Sequence, residues 1–434
     1  MLGALRRRWA DLLSGFWFRP AIIVLGFTVL ALVVLAIDRR LGTDSLEIAF
    51  GGDASAARTI LQTVASSLIT VAGLSLTITI VTLQLVSTQF SPRAVRGLLG
   101  HSVIQIATGS FVGIFVYCLM VLRAVRDTPQ DGDGGFVPGL SVTLAIGLGI
   151  LGLGLLIMFI HNISQSIQVA NISARIAQDT LRVLESLYPQ RFAEALADRD
   201  SEPTVRRWRR DPCTSVFPDR PGYVQRIDVD ALLEGFADRE RLLVRCRPGD
   251  FVTEAHPLIE VWPPLDDRRA RDIVHGAVNV ASARDLSQDS AYGFQQLADI
   301  ALRALSPSMT DPTTALNCIS YLGACLERLT GRAIPAEIRH DPDRKLDAVV
   351  RRVSFDEYLA PFIELGRFAG TNARVVCGLV DALSGPMEIA DRIGASERSQ
   401  ALRTAAEAVA ERGILDAATE PDRDDIRARL ARLA

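Results

Sequence analysis

The sequence predicts an α-helical membrane bundle of four transmembrane helices, followed by a cytoplasmic α+β domain with a small β module and a helical C-terminal part. Three observations carry this. Four long charge-free apolar stretches lie within the first 160 residues. The mean hydropathy of +0.22 is high for a soluble chain. Beyond them the pattern changes to charged segments of mixed helical and strand period. A chain of 434 residues with 49% hydrophobic and 22% charged residues can bury a sizeable core, and it is neither a disordered nor a collagen-like composition. The net charge of −3 argues against a dedicated nucleic-acid binder, which would carry a basic surface. Of the 47 basic residues, Lys345 is the only lysine, so lysine chemistry is almost absent.

The four apolar stretches are 21–37, 59–90, 102–122 and 139–160. Each can cross the ~30 Å hydrocarbon layer as a helix. The first is short, and Phe16, Trp17 and Phe18 extend it with aromatic rings suited to the headgroup level. Arg6, Arg7 and Arg8 could mark a signal peptide, but no small-residue cleavage site follows, and the run ends Ile37-Asp38-Arg39-Arg40; an uncleaved anchor is expected. Arginines before the first span and at Arg93 and Arg96 slightly outweigh those of the other two loops, which places both termini in the cytoplasm.

The second span carries the candidate site. Thr59, Thr63, Ser66, Thr70, Gly73, Thr77, Gln84 and Thr88 fall within an arc of roughly 80° at 100° per residue. Such a stripe reads either as a helix–helix packing seam or as the wall of a water-filled pore in a homo-oligomer. In the pore reading Ile80 and Val81, which interrupt the stripe, are gate candidates closing by dewetting. No ionisable residue lies inside the expected spans, which disfavours an ion-coupled transporter. In the fourth span Gly147-Leu148-Gly149-Ile150-Leu151-Gly152 matches G-x-G-x-x-G. It lies inside an apolar run without the strand and exposed helix start that dinucleotide binding requires, so close helix packing explains it.

The segments Ser87-Thr88-Gln89-Phe90-Ser91-Pro92-Arg93, Phe159 to Gln168 (FIHNISQSIQ), and Ala304-Leu305-Ser306-Pro307 through Asp311-Pro312-Thr313-Thr314-Ala315 resemble the bacterial membrane proteins grouped as domain of unknown function 2254. The resemblance covers nearly the whole chain. It implies a bacterial inner-membrane protein and carries over no catalytic residue.

The expected organisation is a transmembrane domain at 1–162, a helical stalk and linker at 163–221, a β module at 222–264 and a mainly helical domain at 265–434. The fourth span is expected to run on as one long helix to Tyr188-Pro189. In the linker, Arg206-Arg207-Trp208-Arg209-Arg210 is either a solvated run or a contact for anionic lipid. The Gly249-Asp250-Phe251-Val252 … Pro257-Leu258-Ile259 spacing resembles the hammerhead barrel of lipoyl and biotinyl carriers. Those carriers need a hairpin-tip lysine, and 222–262 has none, so no cofactor is expected. Helices are expected at 267–284, 292–305, 312–330, 356–383 and 396–412, with a lone strand at 349–355. Asp311-Pro312 forms an N-cap and first-turn proline.

His101, His161, His256, His275 and His340 are dispersed, and there is no Walker loop, H-E-x-x-H or zinc-like spacing, so neither catalytic nor metal-ligating residues are assigned and no enzyme is expected. Cys318 and Cys325, two helical turns apart, are expected to be small core residues rather than a redox pair. The function expected is a homo-oligomeric channel-like assembly for small ions or solutes, in contact with membrane lipids and not nucleic acid. The alternative is a non-conducting scaffold or signalling protein acting through its cytoplasmic domain.

Overall fold

A computed structural model describes residues 18–41, 50–89, 102–126, 136–166, 169–188, 202–236, 240–335, 337–341 and 346–433. The chain divides into two compact units, Met1–Asn171 and Ile172–Ala434.

Among the described residues the first unit has four helices long and apolar enough to cross a membrane. They are α1 (Phe18–Leu41), α2 (Ala54–Gln89), α3 (Ser102–Ala124) and α4 (Gly139–Ser166). α3 packs against all three others, whereas α1 and α2 are placed at opposite corners with α3 and α4 between them. Small residues allow the close approach. A Cβ on Gly109 would sit 2.8 Å from the Pro20 backbone, and one on Gly113 would run into the Phe27 ring, so α3 lies tight on α1. Leu61, Leu68, Phe111, Ile114, Tyr117 and Val142 fill the interior.

The helices overrun their expected ends. α1 continues through Asp38, which lies buried inside it. Its carboxylate accepts the backbone N–H of Leu140 (3.1 Å) and both the N–H (2.9 Å) and hydroxyl (2.5 Å) of Ser141. These are orphan donors at the start of α4, so the charge is used as a cap. The Tyr117 hydroxyl donates to the Ser141 carbonyl at 3.0 Å, tying α3 to the same point. An ionisable residue is thus present at one end of the bundle, and its role is structural.

The fourth span is expected to run on as one helix through 167–168, which lie outside the described residues; on either side stand α4, to Ser166, and α5 (Val169–Leu187). From Ile172 onward α5 belongs to the second unit. There its buried Ser173 and Thr180 lie against Cys318 and Gly293, respectively.

The second unit continues with α6 (Glu202–Trp208), β1 (Thr214–Val216), β2 (Gly222–Ile227), α7 (Val229–Gly235), β3 (Arg241–Val244), β4 (Phe251–Val252), β5 (Ile259–Trp262), α8 (Asp267–Ala277), β6 (Val278–Ala281), α9 (Ser290–Ala304) and α10 (Pro312–Thr330). It ends with β7 (Ile338–Asp341), β8 (Leu346–Val350), α11 (Phe355–Phe368), α12 (Ala373–Arg392), α13 (Ser396–Asp416) and α14 (Glu420–Ala431). One sheet runs β1-β5-β3-β8-β7 and the other β4-β2-β6. Among the described residues only β3 and β8 pair in parallel.

Several elements differ from expectation. The helix from 267 stops at Ala277 because Val278–Ala281 pairs with β2 as a strand. The strand near 350 ends at Val350 and joins the larger sheet. The helix expected at 356–383 is two, parted by a turn where Gly370 takes φ +57° and Asn372 caps α12. Trp208 does not reach toward lipid: it is buried 5.9 Å from the Trp262 ring, with Arg241 over its face. The flanking Arg206, Arg207, Arg209 and Arg210 stay exposed. The cap at Asp311 is as expected, its carboxylate accepting the Thr314 N–H (3.1 Å) and hydroxyl (2.6 Å).

Candidate functional site

The site begins with how α2 divides its surface. Ala57, Leu61, Ala65, Leu68, Ala72 and Ser75 are buried in the bundle. At 100° per residue their mean direction lies about 180° from the stripe. Thr59, Thr63, Ser66, Thr70, Gly73, Thr77 and Gln84 are all exposed on the outward side. A Cβ built on Gly73 meets nothing within 4 Å. Ile80 and Val81, 62% and 57% exposed, lie on the same outward side. The side chain of Thr88 lies outside the described residues. The structure therefore brings seven stripe residues together on one face, and that face is no seam within the protomer.

The hydroxyls are not orphaned there. Thr59, Thr63, Thr70 and Thr77 each donate to the carbonyl four residues back, at 2.7–3.0 Å, and Ser66 donates to the Thr63 carbonyl at 3.1 Å. Self-bonding of this kind lets Ser and Thr sit in an apolar helix at little cost. Hydrogen-bond need alone therefore does not demand a partner. What remains is geometry: a column of small and polar surface facing away from its own bundle.

The glycine motif of α4 does pack. A Cβ on Gly152 would fall 2.7 Å from Leu68, and one on Gly149 would touch Val64, both on α2. Gly147 faces open space. Asn162 donates to the Met158 carbonyl of its own helix at 2.9 Å.

Other chemistry is sparse. No group of three His, Cys, Asp or Glu that could hold a metal is found among the described residues. Cys318 and Cys325 are buried without a disulfide and both face α5, Cys318 beside the Ser173 hydroxyl (3.2 Å) and Cys325 donating to the Ala177 carbonyl (3.8 Å). Burial pushes their thiols up to about 11 and about 12, so they are inert core groups. The buried Arg398 has backbone carbonyls as partners, those of Leu329, Thr330 and Arg332 at 2.7–3.3 Å, and burial lowers its pKa to about 10. It closes the end of α10.

A family model described as predicted membrane protein (DUF2254) matches residues 14–384. The chain belongs to this family. Relatives include uncharacterised proteins of Mycobacterium bovis and of two Mycobacterium tuberculosis strains, each 31% identical over 389 residues, spanning 87% of this chain and 73% of the relative. No solved structure matches. This DUF2254 member is a membrane protein with four apolar helices followed by a mixed α/β region with small sheets and a helical end.

Proposed function

We propose that this DUF2254 protein is a non-enzymatic inner-membrane protein, with both termini cytoplasmic, that assembles into a homo-oligomer around the outward face of α2. The assembly forms a path for small ions or solutes lined by Thr59, Thr63, Ser66, Thr70, Gly73, Thr77, Gln84 and Thr88, with Ile80 and Val81 as its hydrophobic constriction. One observation supports this reading above all: the polar face of α2 points away from its own bundle, and α2 occupies the corner opposite the lipid-suited α1. A ring of protomers with α2 innermost places polar surface on the axis and apolar surface outside. The second reading, a dry and packed scaffold, draws on the self-bonded hydroxyls and the open Gly73, both suited to close helix contact.

Thiol accessibility separates the two. With the exposed Cys213 replaced by serine, Thr63→Cys, Thr70→Cys and Thr77→Cys are expected to react with a membrane-impermeant thiol reagent, while Leu25→Cys and Leu32→Cys are not. An oligomer whose stripe is protected throughout supports the scaffold. A monomer with the stripe protected contradicts both.

A further inference from the structure

The second unit contains a cleft of about 370 Å³ beyond the carboxyl ends of β3 and β8. These strands are parallel neighbours with Val244 beside Val350. Both leave the sheet into the cleft wall, β3 as Arg247-Pro248 and β8 as Arg351-Arg352-Val353. Carboxyl ends of parallel strands are where sheets commonly hold ligands, because the following loops part there and leave a crevice. Arg226, from β2, adds a fourth guanidinium to the lining.

Four guanidiniums and two carboxylates, Asp228 and Asp230, line the cleft, and two further carboxylates, Glu357 and Asp250, stand within 4.0 Å of Arg247. Arg247 is fixed in place by Glu357 (2.8 and 3.0 Å) and the Arg352 carbonyl (3.2 Å). Arg226 pairs with Asp228 at the surface, at 3.2 Å. Arg351 is exposed and meets no carboxylate within 4.0 Å among the described residues. Below them lies a hydroxyl chain: Tyr188 and Ser290, both in the lining, hydrogen-bond the buried Tyr358 hydroxyl at 2.9 and 2.6 Å. Ile227, Leu233 and Val350 give an apolar wall.

We propose that this cleft binds a small organic molecule carrying a phosphate monoester. The phosphate sits on the guanidiniums, and the organic body lies against the apolar wall. A planar guanidinium fork matches phosphate oxygens two at a time, and Arg351, which is exposed and has no carboxylate beside it among the described residues, is the fork left open to take them. The volume lies within the roughly 300–1,000 Å³ range of small-molecule sites. Such a phosphate can belong to a soluble nucleotide or to a lipid headgroup.

The test is calorimetric titration of the full-length protein in lipid nanodiscs with AMP, glycerol 3-phosphate and inorganic phosphate. Saturable one-to-one binding of AMP, displaced by inorganic phosphate and weakened at least tenfold by Arg351→Gln and by Arg226→Gln, supports the site with a nucleotide source. The same arginine dependence for glycerol 3-phosphate, with AMP no tighter, supports it with a headgroup source. Arg367→Gln, exposed on α11 and outside the cleft, is expected to change neither. Absence of binding by AMP and glycerol 3-phosphate alike, or binding indifferent to both cleft substitutions, overturns the proposal.

Discussion

The outward faces of α1 and α2 differ in chemistry. α1 presents Ile22, Leu25, Val29, Leu32 and Val33 to its surroundings, each at least half exposed. α2, at the opposite corner, presents threonines, a serine, a glycine and a glutamine, together with Ile69, Leu74, Ile80 and Val81. Hydrocarbon is a sufficient neighbour for the first face and adds nothing to the second. The two helices thus suit different surroundings, and the proposed symmetric assembly supplies both at once, with lipid outside and a second copy or water inside.

The largest expected effect tests that asymmetry with a charge. Leu32→Arg should cost about 3 kcal/mol of membrane insertion. Thr70→Arg should insert at near wild-type level, because its face meets a wet axis. The fraction of full-length protein integrated into membranes reads both, and equal loss at the two positions breaks the comparison. Next is the inner end of α1. Asp38→Leu strips the partner from two N–H groups and the hydroxyl of Ser141, which should cost about 2–3 kcal/mol in detergent unfolding. Leu32→Ala, on the outward face, should be nearly silent in the same assay. One open glycine on each of these helices makes a matched pair: a Cβ on Gly26 of α1 or Gly73 of α2 meets nothing within 4 Å. Gly73→Leu should weaken self-association at least tenfold, about 1.4 kcal/mol, while Gly26→Leu leaves it unchanged; mass photometry in nanodiscs measures both.

The smallest effect lies outside the membrane helices. Asp311→Ala should remove about 1 kcal/mol from α10. The Asp311 carboxyl is held below its ordinary 3.8, chiefly by the Thr314 hydroxyl. The native state therefore binds that proton less readily than the unfolded chain. The cap contributes fully above pH 3.8 and fades as pH falls through the lowered value. Acid unfolding of the wild type and the Ala variant should converge there.

Much of the bundle was legible because apolar length and a 100° period are local properties. The stripe from Thr59 to Gln84 could be read from spacing alone, and so could the cap at Asp311. Its direction could not. Only packing shows that Leu61, Leu68 and Ala72 turn inward and the threonines outward. Self-bonding of the threonines, in contrast, was foreseeable from their helical setting and was missed. Asp38 was hidden because its partners lie about 100 residues away, at the start of α4. The cleft arginines were hidden for the same reason: Arg247 and Arg351 meet only because β3 and β8 pair across a long gap. Gly370 carried a readable break signal that the surrounding helical period masked.

The most direct measurement is a cryo-electron-microscopy reconstruction of the protein in a lipid bilayer. The account predicts a ring of copies with α2 innermost, Thr63, Thr70 and Thr77 facing a hydrated axis, and Leu25 and Leu32 of α1 against acyl chains. A reconstruction with α1 at the centre, or with those threonines against lipid tails, contradicts it.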